Sequence, residues 1–135
     1  MTPVQFLKVY AVGVVVCFGL DLAWLGVIAR GLYTSQLGHL MRPDVRWVPA
    51  VLFYLIYVAA LIVIVVMPAV EKQSLGRAML LGAFFGLAAY SAYDLTSLAL
   101  IKDFPLMVAV VDLAWGTILS AAVSTAAYSV AVRWG

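Results

Sequence analysis

The chain has 135 residues, of which 67 % are hydrophobic and only 10 % charged. Soluble domains carry about a quarter charged residues, so an ordinary water-soluble fold is excluded, and the mean hydropathy of +1.14 agrees. A net charge of +2 with no basic run argues against nucleic acid as a partner. The single cysteine, Cys17, lies in an apolar run. It excludes a disulfide framework or a thiolate metal centre and reads as a small apolar filler.

The first apolar segment covers residues 3–29 and ends at Arg30-Gly31. Lys8 and the run behind it have the outline of a signal peptide. Asp21 and Trp24, however, stand where small residues would mark cleavage, and the run continues to Ala29, so the segment is expected to be retained. It exceeds the roughly 20 residues needed to cross about 30 Å of hydrocarbon. The polar connector that follows holds Arg30, His39, Arg42, Asp44 and Arg46. Leu32, Tyr33, Leu37, Leu40 and Met41 recur in it at helical spacing, which predicts a short interfacial helix stopped by Pro43. Trp47 reads as an interfacial anchor.

The second segment, 49–70, opens on Pro49, a residue suited to a helix's first turn, and carries Tyr54 and Tyr57. A short turn leads to the third, 74–101. A second turn contains Asp103, expected to cap the fourth segment, 105–132, which closes on Arg133-Trp134. The expectation is an all-α integral membrane protein: one domain, a four-helix transmembrane bundle with both termini on one side. Lys8, Lys72, Arg77 and Arg133 flank that side. Arg30, Arg42, Arg46 and Lys102 flank the other, so the positive-inside rule is balanced. Such a balance permits insertion in both orientations, or leaves the choice to nearby flanks and the insertion machinery.

Against this background three acids stand out. Asp21 opens an Asp-Leu-Ala-Trp stretch that returns at Asp112 to Trp115, and Tyr93-Asp94-Leu-Thr is a relative of both. At 1.5 Å per residue, Asp21 is about 12 Å, and Asp94 and Asp112 about 10 Å, from the connector-side ends of their helices. All three should share one level. Gly13, Cys17 and Asp21 are spaced by four, as are Gly82, Gly86, Tyr90 and Asp94, and Asp112, Gly116, Ser120 and Ser124. Each aspartate thus continues a row of small residues of the kind that lets membrane helices approach closely, and the rows are expected to face one another. Trp24 and Trp115, three residues beyond their aspartates, are placed to wall the same region.

An ionisable group at the bilayer centre costs about 2.5–3.5 kcal/mol on insertion scales. Partners are therefore expected: the hydroxyls of Tyr54, Tyr57, Tyr90, Tyr93, Ser91 and Thr96, and Arg30 or Arg46 as counter-charges. Repulsion within the group favours retention of a proton by the cluster. The aspartates read either as hydrogen-bonded glue between helices or as a functional site, and three at one level favour the second. The tryptophans and tyrosines read as packing residues or as pocket walls. His39 stands alone, without the companions a metal site needs. Neither a metal nor a cofactor is implied.

Asp21-Leu-Ala-Trp24-Leu-Gly26, Tyr33…Leu37-Gly38, Trp47-Val-Pro49, Phe53-Tyr54…Tyr57, Gly82-Ala-Phe-Phe-Gly86…Tyr90…Tyr93-Asp94-Leu95-Thr96 and Asp112…Trp115-Gly116 together resemble a bacterial family of small membrane proteins classed as a domain of unknown function. The resemblance spans nearly the whole chain and implies a multi-pass protein of the bacterial inner membrane with four spans. It brings no activity with it.

Three functions fit these residues. The leading one is binding or translocation of a cation or small cationic or amphipathic solute with proton coupling, since carboxylates and aromatic faces both attract cations. In size and span number the chain resembles small multidrug exporters, and balanced charges would permit an antiparallel homodimer. Those exporters typically depend on a single acid in the first helix, and the likeness extends no further than fold-level analogy. The second is a membrane enzyme acting on a lipid or isoprenoid, with an aspartate as acid or base. No nucleophile–base pair, phosphate-cradling loop or histidine cluster supports it. The third is an accessory subunit of a larger membrane complex.

Overall fold

A computed structural model describes residues 2–28, 31 and 47–134. The expected interfacial helix, His39, Arg30 and Arg46 lie outside the described residues. Those described form four long helices and no strands: α1 (Pro3–Gly26), α2 (Trp47–Glu71), α3 (Leu75–Leu100) and α4 (Leu106–Arg133). Each is long and apolar enough to cross a bilayer.

The ends of the rods follow from local chemistry. Thr2 caps α1 in a reciprocal box: its hydroxyl accepts from the Gln5 amide at 3.2 Å, and the Gln5 side chain accepts from the Thr2 amide at 2.9 Å. Pro3 occupies the first turn, where its missing N–H costs nothing. Ser74 caps α3 by accepting from the Arg77 amide at 3.1 Å. Asp103 does not cap α4, contrary to its position just before the fourth apolar run. It sits at φ 63° within the turn, and α4 starts three residues later. Pro105 disfavours helical geometry at Phe104, and the Phe104 side chain instead buries itself against Val108 and Ala109.

Two stretches wind more loosely, with π geometry: Trp24–Ile28 at the end of α1, and Ile62–Val66 in the middle of α2. The second precedes Pro68, which has no N–H to give and whose ring would strike the preceding turn. The Met67 amide reaches back five residues to the Ile62 carbonyl and absorbs the misfit.

Packing is organised on α4, which touches the other three helices, α3 most extensively and then α1. The core runs from Val9 and Cys17 through Val58, Leu61, Ile62 and Val66 to Leu119, Val123 and Ala127. Outer faces are apolar and bare, as at Leu80 and Leu100 (74 % and 84 % exposed), which suits hydrocarbon rather than water.

Candidate functional site

The α3–α4 seam is an antiparallel zipper of the two four-residue rows. A Cβ added at Gly82 would lie 2.8 Å from the Ser124 Cβ and 3.0 Å from the Ser120 carbonyl oxygen. At Gly86 it would strike Ser120 and the Gly116 carbonyl, and at Gly116 the ring of Tyr90. Each step of four forward on α3 is thus matched by a step of four back on α4: Gly82 with Ser124, Gly86 with Ser120, Tyr90 with Gly116. The next step brings Asp94 to Asp112, and these two carboxyls do interact. Backbones approach closely where no side chain separates them, and dispersion and packing then hold the pair in lipid.

Asp94 is fully buried, with neither carboxyl oxygen hydrogen-bonded to a described residue. Its neighbour Asp112 is half-buried. Asp21 is buried on α1 and lies close enough to Asp112 for their charges to act on each other. It belongs to a row in which Val9, Gly13, Cys17 and Asp21 are the buried residues of their helix. That row faces a second stripe of α4, on which Gly13 meets Val123 and Asp21 meets Trp115 eight residues away. The Trp115 indole N–H donates to Asp21 Oδ1 at 2.8 Å. Trp24 stacks on the Trp115 ring at 4.6 Å and 6° between planes, at the residue where α1 turns to π geometry.

The other predicted site residues are distributed around these two groups. Tyr90 is half-buried and lies near Asp21, Asp112 and Tyr57. Tyr57 is buried, hydrogen-bonded to Ser120 through its hydroxyl, and edge-on to Tyr90 at 6.3 Å. Tyr54 packs on Phe18 at 4.5 Å, away from the acids' hydrogen bonds. Tyr93 is 58 % exposed on the outer surface, its ring edge-on to Phe104. Among the described residues no three His, Cys, Asp or Glu side chains converge as a metal site. Asp94 pairs with Asp112 across the α3–α4 seam and Asp21 with Trp115 across the α1–α4 seam, with Asp112 also within electrostatic reach of Asp21.

Ser120 is a polar residue of this interior that spacing alone places on a row but not at the site. Its distance of four from both Gly116 and Ser124 gives the row, and the hydrogen bond with Tyr57 of α2 is what brings it to the site. The buried Ser124 hydroxyl, which has no hydrogen-bond partner among the described residues, extends the same polar stripe toward the chain termini.

Four apolar spans around an enclosed polar level define an integral membrane protein. Residues 6–129 match a family described as "Predicted membrane protein (DUF2177)", and the chain belongs to that family of unknown function. No curated protein and no solved structure matches it.

Proposed function

We propose that this protein binds, and carries across a bacterial cytoplasmic membrane, a small cationic or amphipathic solute in exchange for protons. The observation that carries the reading is Asp94: an acid with no exposure and no hydrogen-bond donor among the described residues, set against a second acid inside an apolar bundle. Structural glue would be satisfied by donors, whereas a group that takes up and gives up a proton need not be. The aromatic wall supports the other half of the reading. Trp115 meets the Asp21 carboxylate with its N–H edge and stacks face to face on Trp24, so a carboxylate adjoins an aromatic pair, and charge with aromatic rings is the combination that attracts organic cations.

Tetraphenylphosphonium is a suitable probe. Its binding to the purified protein should quench tryptophan fluorescence and weaken roughly tenfold or more in Asp21→Asn, a loss of at least about 1.4 kcal/mol. Unaltered binding in Asp21→Asn, Asp94→Asn and Asp112→Asn alike would remove the proposal.

A further inference from the structure

We infer that Asp94 is a neutral acid in the resting protein, its proton directed at Asp112, so that this pair is the proton-binding element and Asp21 with its two tryptophans a separate solute seat. The assignment deepens the proton-coupled reading and takes its role from it, although the proton itself is observable with no solute present.

The geometry behind it is specific to Asp94. A carboxylate that loses water must find donors, and Asp94 has zero exposure with no donor among the described residues reaching either oxygen. The described titratable groups around it include no cation, and none of them donates a hydrogen bond to it. From α4 comes Asp112, another acid. On its own helix Tyr93 lies within electrostatic reach of both acids. From α1, Asp21 acts on Asp112, and Tyr90 lies near both Asp21 and Asp112. These described titratable neighbours are acids or phenols. Protonation solves the problem at one stroke: the acid becomes neutral and gains an O–H donor, and Asp112 supplies an acceptor. Two carboxyls sharing one proton is the arrangement like charges adopt at close quarters.

Asp21 differs in kind. It already accepts from the Trp115 indole N–H, so its ionised form has the donor that Asp94 lacks. A solute drawn there would place its positive charge near Asp112 as well, because Asp21 and Asp112 interact. That charge stabilises the ionised pair, and the Asp94 proton leaves by way of the half-buried Asp112 to water. Uptake of one cation and loss of one proton are thereby linked through Asp112, with charge balanced.

Infrared spectroscopy of the protein in lipid vesicles, without solute, tests the assignment. A protonated-carboxyl C=O band is expected at neutral pH, sensitive to deuterium exchange and fading as pH is raised. It should vanish in Asp94→Asn, shift in Asp112→Asn, and stay in place in Asp21→Asn. No such band in the wild type, or a band that survives Asp94→Asn, overturns the inference. Should Asp94→Asn not fold, solid-state NMR of the wild type with ¹³C-carboxyl aspartate decides the same question. One neutral carboxyl in through-space contact with a second aspartate carboxyl supports the assignment, and ionised carboxyls throughout refute it. Failure of tetraphenylphosphonium to bind while the band remains would fall on the transport reading alone.

Discussion

The two ends of the α3–α4 seam share one register but do opposite things with it. Toward the chain termini, Gly82 and Gly86 bring the backbones together against Ser124 and Ser120, and nothing charged intervenes. Toward the connector, the same four-residue step admits first a tyrosine ring over Gly116 and then two facing carboxyls. The acids are therefore held in place from a distance. Close glycine packing fixes the rotation and height of α3 on α4, and the costly contact of Asp94 with Asp112 is tolerated because the rest of the seam over-determines it. The site is a consequence of the zipper and should fail when the zipper is loosened.

The largest effect is expected from wedging the tight end. Gly86→Leu puts a side chain into the Ser120 side chain and the Gly116 carbonyl, neither of which can yield without separating the helices. A loss of about 3 kcal/mol is expected, at the top of the usual range for overpacking. Equilibrium unfolding in mixed detergent measures it, and the Asp94 infrared band should be lost along with the register. An unchanged unfolding midpoint would mean that the two ends of the seam are not coupled.

Trp115→Phe probes the other α4 stripe and should cost less. It keeps an aromatic face against Trp24 but removes the N–H that Asp21 accepts, a charge-assisted bond worth about 1.5–3 kcal/mol. The same unfolding measurement applies, and tetraphenylphosphonium affinity should fall in parallel because the carboxylate is no longer held. The α3–α4 seam is untouched by this change, so the Asp94 band should persist.

The smallest effect is expected on α1. A Cβ at Gly13 would lie 2.9 Å from the Val58 Cγ1, the end of a side chain that can rotate, so Gly13→Ala should destabilise by only about 1 kcal/mol. Gly19→Ala, where nothing lies within 4 Å of the added atom, serves as its control and should leave the unfolding midpoint unchanged within about 0.5 kcal/mol.

Much of this is legible in the sequence, and what is not has a physical reason. The four spans follow from apolar length alone, and the rows containing Asp21, Asp94 and Asp112 follow from spacing by four. A row fixes the direction a helix faces but not which neighbour stands there. Residues 112, 116, 120 and 124 of α4 turn to α3, whereas Trp115 and Val123, on an adjacent stripe, turn to α1. The three acids therefore take different neighbours, Asp94 meeting Asp112 and Asp21 meeting Trp115, an outcome decided by how helices surround α4 and not by any one helix. Tyr93, next to Asp94 in the chain, stands about 100° away around the helix and points outward. The turn before α4 departs from expectation for a related reason: Asp103 has the chemistry of a cap, but Pro105 and the burial of Phe104 set where the helix begins.

Paired cysteines test the register itself. In a Cys17→Ala background, Asp94→Cys with Asp112→Cys should form a disulfide rapidly on mild oxidation in membranes. Asp94→Cys with Ser120→Cys, two steps out of register and with no glycine replaced, should cross-link far more slowly. Equal or faster cross-linking of that displaced pair would contradict the zipper and, with it, the placement of one acid against the other.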